Sequence, residues 1–163
     1  MYSGDCQCQP CGDCPLVTGD LADIGNWVYV GLWECELVTG DVESLSSDAQ
    51  TLGLNGCALL TGDLSDFSST VTYLDAVGCV LLTGSSIAHM TGIGSVDISN
   101  QAADQTRVNA IIDNIYAAKE SFTDTTITMN IGGNNAAPSA AQILKIEELQ
   151  ADYGWAITYT LPS

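Results

Sequence analysis

One short phrase recurs four times along this chain. Residues 35–41 read CELVTGD and residues 57–63 read CALLTGD, flanked by CPLVTGD at 14–20 and CVLLTG at 79–84. The glycines Gly19, Gly40, Gly62 and Gly84 stand 21, 22 and 22 residues apart, and Cys14, Cys35, Cys57 and Cys79 step identically. A fixed period in this range marks a chain that repeats one supersecondary unit, each copy burying its apolar face against its neighbours. That constraint narrows the fold more than any bulk property of the sequence.

The residues between the phrases supply the pattern of the unit. Val30, Leu32, Cys35 and Leu37 follow the order L-x-L-x-x-C-x-L, as do Leu52, Leu54, Cys57 and Leu59, and again Leu74, Ala76, Cys79 and Leu81. Alternating apolar positions predict a short strand with one face inward. Leu64, Phe67 and Val71, and one unit later Ile87, Met90 and Ile93, space out the far side of each unit. Beyond residue 103 the unit lengthens. Val108, Ile111, Ile112, Ile115 and Tyr116 recur at helical spacing, which predicts an amphipathic helix over 104–120. Met129, Ile131 and Asn134 then restore the strand frame, with Gln101 and Asn134 in the cysteine position. A second helix is predicted over 139–152, with Ser139 and Gln142 as a capping box and Gly154 as its stop. WAITYT closes the chain as a last strand.

The order L-x-L-x-x-[N/C]-x-L followed by L-T-G resembles the leucine-rich-repeat family over about residues 14–160. Repeats of the LTGDLS type are similar to those of bacteriophage particle proteins and bacterial surface proteins. The stretch NNAAPSAAQILKIEELQADYGWAITYT is similar to their closing segment. The resemblance implies an α/β fold. This would be a short right-handed solenoid with a parallel sheet of about six or seven strands and helices mainly in the C-terminal half. It implies that the ladder side chain, here Cys three times, bonds backbone of the neighbouring coil, which a thiol does weakly. It also implies that the solvent-facing strand surface is where a ligand binds, placing Tyr29, Trp33, Asn55, Tyr73, Asp75 and Asp97 on that surface, with Asn130 continuing the Asp75–Asp97 column. Exposed aromatics beside acids have the composition of a contact patch. Residues 1–13 read as a Cys-rich docking or capping segment, and 14–163 as the solenoid with a helical cap.

Twenty acidic residues oppose three basic ones, Arg107, Lys119 and Lys145, and residues 1–100 contain no Lys or Arg. Such a surface repels phosphate backbones and anionic membranes, which argues against a nucleic-acid partner. No apolar run reaches the ~18 residues of a membrane span. The N-terminus has neither the basic start nor the apolar run of a signal peptide. Cations or a basic partner surface are the contacts that electrostatics favours.

Four cysteines, Cys6, Cys8, Cys11 and Cys14, crowd the first stretch. Their spacing suits a tetrahedral zinc site, a pair of disulfides or reduced packing, and Cys14 is also a candidate ladder rung. Asp20, Asp41 and Asp63 each precede a second carboxylate, Asp23, Glu43 and Asp66. These pairs suit either calcium or turn capping. His89, the single histidine, is expected on the exposed outer side without a nucleophile partner, so no catalytic triad and no enzyme is expected. The expected function is a non-enzymatic structural component of a bacteriophage virion, of decoration or fibre type. It would contact other particle proteins, capsid or tail, with self-association as a further option. The alternative is a bacterial surface module, extracellular, gripping a host protein or glycan.

Overall fold

The structure is a computed structural model that describes residues 17–124 and 126–162. Cys6, Cys8, Cys11 and Cys14, with the whole segment 1–13, lie outside the described residues. In chain order the strands are β1 Thr18–Asp20, β2 Tyr29–Gly31, β3 Leu37–Asp41, β4 Thr51–Gly53, β5 Leu60–Asp63, β6 Tyr73–Asp75, β7 Leu82–Thr83, β8 Ser95–Asp97, β9 Thr128–Asn130 and β10 Ala156–Thr158. Helix α1 spans Gln105–Ala117 and α2 spans Ala140–Tyr153.

The protein is α/β, with two parallel sheets. One has four strands in the order β1-β3-β5-β7, the other six in the order β10-β9-β8-β6-β4-β2. The chain alternates between them until residue 97, after which α1 and α2 take the places where further strands of the smaller sheet would fall. In the larger sheet the register is flush with the repeat, Tyr29↔Thr51↔Tyr73↔Ser95, and then continues to Thr128 and Ala156. Its inward column, Val30, Leu52, Leu74, Val96, Met129 and Ile157, joins Val38, Leu60 and Leu82 of the smaller sheet in one apolar cluster. The helices close the cluster with Val108, Ile111, Ile112, Ile115, Ile146 and Leu149.

The repeated phrase itself builds the smaller sheet, a layer the sequence pattern did not predict. Neighbouring strands there are staggered two residues off the repeat, so Gly40 pairs with Leu60 and Gly62 with Leu82. Each letter of the phrase then has a task. The second apolar residue, Val38, Leu60 or Leu82, is buried. The threonine hydroxyl donates to the glycine carbonyl of the preceding phrase: Thr39 to Gly19, Thr61 to Gly40, Thr83 to Gly62, at 3.1–3.3 Å. The aspartate accepts from the backbone N–H two residues on, at Ala22, Glu43 or Ser65, capping a single 3-10 turn. Asp20 and Asp41 also accept from the next phrase's threonine. Asp63 and Asp66 form a full capping box. Asp20, Asp41 and Asp63 are therefore turn caps, and Asp66 completes the third.

The fourth phrase ends the sheet. Ser85 stands where the others have aspartate, and among the described residues no fifth strand follows. Arg107 of α1 serves that edge instead. Its Nε donates to the Gly84 carbonyl at 2.8 Å and its Nη2 to Gln101 Oε1 at 2.9 Å.

Three local expectations are corrected. Leu37, Leu59 and Leu81 face solvent at 45, 43 and 47% exposure, because strand alternation turns the second residue of each apolar pair inward. The capping box at α2 does not form: Ser139 makes no cap bond, its hydroxyl turning to Gln142, whose Nε2 reaches Asp113 across the α1–α2 contact. His89 is half-buried, its Nε2 at 2.7 Å from the Phe67 carbonyl. Gly154 does stop α2 in the left-handed conformation, at φ 69°.

Candidate functional site

Two features of the larger sheet correspond to candidate residues, one inside it and one on its outer face. Inside runs a ladder of side chains that bond the strand before. Cys57 Sγ donates to the Leu32 carbonyl at 3.0 Å and Cys79 Sγ to Leu54 at 3.1 Å. Gln101 Nε2 donates to Ala76 at 3.0 Å and Asn135 Nδ2 to Ile98 at 3.0 Å. The acceptor in each case lies three residues before the previous rung. Asn135, not Asn134, is the last rung. The GG step at 132–133 adds one residue, so Asn135 is buried and Asn134 sits outside, accepting from Ala102 N–H. Burial, reinforced by the neighbouring cysteine of the ladder, pushes the Cys57 and Cys79 thiols up to about 12. They stay protonated donors at neutral pH and are poor nucleophiles.

The outer face carries the residues singled out for binding. Strand alternation places Tyr29, Thr51, Tyr73 and Ser95 in one outward row and Gly31, Gly53, Asp75, Asp97 and Asn130 in the next. Two registered glycines leave a stretch of bare backbone, and the Trp33 indole lies across it. A Cβ on Gly53 would stand 2.5 Å from Trp33 Cζ2, and one on Gly31 2.6 Å from Cζ3. Trp33 also bonds the Asp75 carboxylate. Tyr29 packs at 6.3 Å from Trp33, tilted by 58°. Asn55 lies half-buried two residues beyond Gly53.

A polar ladder continues from Trp33 across the face. Asp75 Oδ1 accepts from Val77 N–H and Asp97 Oδ1 from Ser99 N–H. Asp97 Oδ2 accepts from Asn130 Nδ2 at 2.9 Å, and Asn130 Oδ1 accepts from Gly132 N–H. Burial first, then the nearby Asp97 charge, raises the Asp75 carboxyl above the usual range, against the lowering effect of its hydrogen bonds. The Tyr73 hydroxyl is raised by burial and by the same two carboxylates. Tyr29 remains 52% and Tyr73 38% exposed, so the rings stand available beside the acids.

The structure thus brings Tyr29, Trp33, Tyr73, Asp75 and Asp97 onto one surface, with Asn55 at its margin. The tight seat of Trp33 on Gly31 and Gly53 was not foreseen, although the outward glycine pair in register is its sequence signal. No protein-family model, curated protein or solved structure matches this chain.

Proposed function

We propose that this protein is a leucine-rich-repeat solenoid that serves as a non-enzymatic structural component of a virus particle, of bacteriophage decoration or fibre type. It docks through its N-terminal segment and displays the repeat outward. The observation that carries this reading is the use made of the repeated phrase. Its threonines, glycines and aspartates are committed to holding successive strands together, which suits a rigid spacer better than a catalyst. The LTGD repeat itself points the same way by resemblance. Native mass spectrometry of the purified chain tests it. A closed oligomer that dissociates when residues 1–13 are deleted is expected; a monomer indifferent to that deletion overturns the docking role.

A second reading is favoured by the outer face. Tyr29 and Tyr73 are exposed beside Trp33 and two carboxylates, a composition found at contact surfaces. In this reading the protein is a binding module of a cell-surface protein. Trp33→Ala together with Tyr73→Ser would abolish ligand capture while leaving particle incorporation intact.

A further inference from the structure

We propose that the outer face of the six-stranded sheet, where Tyr29, Trp33 and Tyr73 flank the Asp75–Asp97 pair, docks a lysine- or arginine-bearing segment of a partner protein. The proposal rests on the second reading, that this face is a contact surface, and names the chemistry of its partner.

Charge complementarity is the main ground. Asp75 and Asp97 sit side by side on adjacent parallel strands, whose backbones lie about 4.8 Å apart across the sheet. The chain has three cations to answer them, and each is engaged elsewhere. Arg107 holds the edge of the smaller sheet, Lys145 pairs with Asp113 at 2.5 Å, and Lys119 lies 3.9 Å over the Tyr116 ring. Among the described residues, the two half-buried carboxylates therefore have no Lys or Arg counter-charge beside them.

The geometry also suits an organic cation. Both Oδ1 atoms are fixed by backbone N–H groups, and Asn130 and Trp33 hold the rest of the pair, so the carboxylates are already oriented before a partner arrives. The aromatic rings beside them offer π faces to a guanidinium or ammonium group. Two carboxylates and one amide fall short of the six or more oxygens that calcium takes, and among the described residues no cluster of three His, Cys, Asp or Glu could hold a metal.

The test is an NMR titration of the full chain, following the Trp33 indole N–H and the backbone amides of Tyr73–Asp97. The probes are the peptide acetyl-Gly-Arg-Gly-Lys-Gly-amide, its Glu-for-Arg/Lys counterpart and the neutral glycan maltohexaose. The cationic peptide is expected to move these resonances and the acidic one to leave them still. Asp75→Asn with Asp97→Asn should weaken binding about ten-fold or more, since charged contacts on a built surface carry that much. Asp23→Asn with Glu43→Gln removes equal charge away from the face and should change it little. The amide spectrum confirms that each variant is folded. Equal weakening by the two double variants means diffuse attraction to an acidic protein and overturns the proposal. A response to maltohexaose but not to the cationic peptide also overturns it while keeping the face as a binding surface. Silence toward all three probes removes the proposal and leaves the second reading without support.

Discussion

The Asp41 carboxylate occupies the space where a side chain on Gly62 would begin: a Cβ there would stand 2.7 Å from Oδ1 and 2.6 Å from Val42 Cγ2. Gly62 has φ 120°, a region that L-residues rarely adopt. Backbone strain of about 1–3 kcal/mol therefore adds to displacement of the cap, and Gly62→Ala should be among the most destabilising single changes. Gly78 has φ 72° but nothing within 4 Å of a Cβ. Gly78→Ala should cost only the left-handed penalty of about 1–2 kcal/mol. Denaturant melts of the two variants check the ordering; equal losses would mean that the close approach of Asp41 carries no weight.

Arg107 supplies three hydrogen bonds, to the Gly84 and Thr83 carbonyls and to Gln101 Oε1, at the edge where a further strand would otherwise pair. Arg107→Met should cost about 3 kcal/mol or more, because hydrogen bonds from charged groups are worth about 1.5–3 kcal/mol each and the buried Gln101 oxygen is left behind. Arg107→Lys should not recover this, since one ammonium lacks the fork that reaches both the Gly84 carbonyl and Gln101. Thermal melts of both variants decide it, and a stable Lys variant would make the contact a matter of charge alone.

With thiols raised to about 12, Cys57 and Cys79 should resist alkylation in the native protein. At pH 8 only about one part in ten thousand of each is thiolate, even before access is considered. Iodoacetamide labelling followed by peptide mass mapping should find both unmodified in the folded chain and both modified after denaturation. Rapid native labelling at Cys57 would place the ladder outside the core.

Acid should act on the carboxylates in two directions. Asp75 is raised above its ordinary value of 3.8, so its ionised form opposes folding at neutral pH, and that opposition fades as pH falls toward its folded value. Asp75→Asn should accordingly stabilise the protein at pH 7, the gain shrinking as pH falls through the window just above 3.8. Asp63 and Asp113 are lowered, the first by bonds from Ser65, the second by bonds from Lys145 and Gln142. Their contribution is present above 3.8 and is lost as pH drops through their depressed values. Urea melts from pH 7 to pH 3 on both proteins measure the difference; a constant offset would show that Asp75 does not titrate in that window.

The period and the inward columns of the larger sheet could be read directly, because Val30, Leu52 and Leu74 repeat at the same interval that the register uses. The first helix was readable from its apolar spacing and the second from its Gly154 stop, and the outward rows followed from strand alternation. The smaller sheet was not readable. Its strands pair with a two-residue stagger that the repeat length conceals, and adjacent leucines at 59–60 and 81–82 hide which one turns inward. Asn135 was missed for a similar reason, since the added residue of the GG step shifts the rung by one. The seat of Trp33 depends on contact across strands, and the role of Arg107 on an edge that exists only once the fold is assembled. Neither has a local pattern in the chain.

The change from aspartate to serine at residue 85 has a consequence for the architecture as a whole. In the earlier phrases the aspartate reaches forward to a threonine not yet added, so it functions as a connector that only an interior unit needs. A chain that repeats one unit is in principle an open-ended polymer, free to gain or lose copies by duplication. Here the series carries its own terminator: a missing connector, followed within one further turn of chain by a guanidinium that occupies the exposed edge. The number of strands in the smaller sheet is thus set by punctuation in the sequence, and a duplicated unit would be accommodated before that stop and not after it.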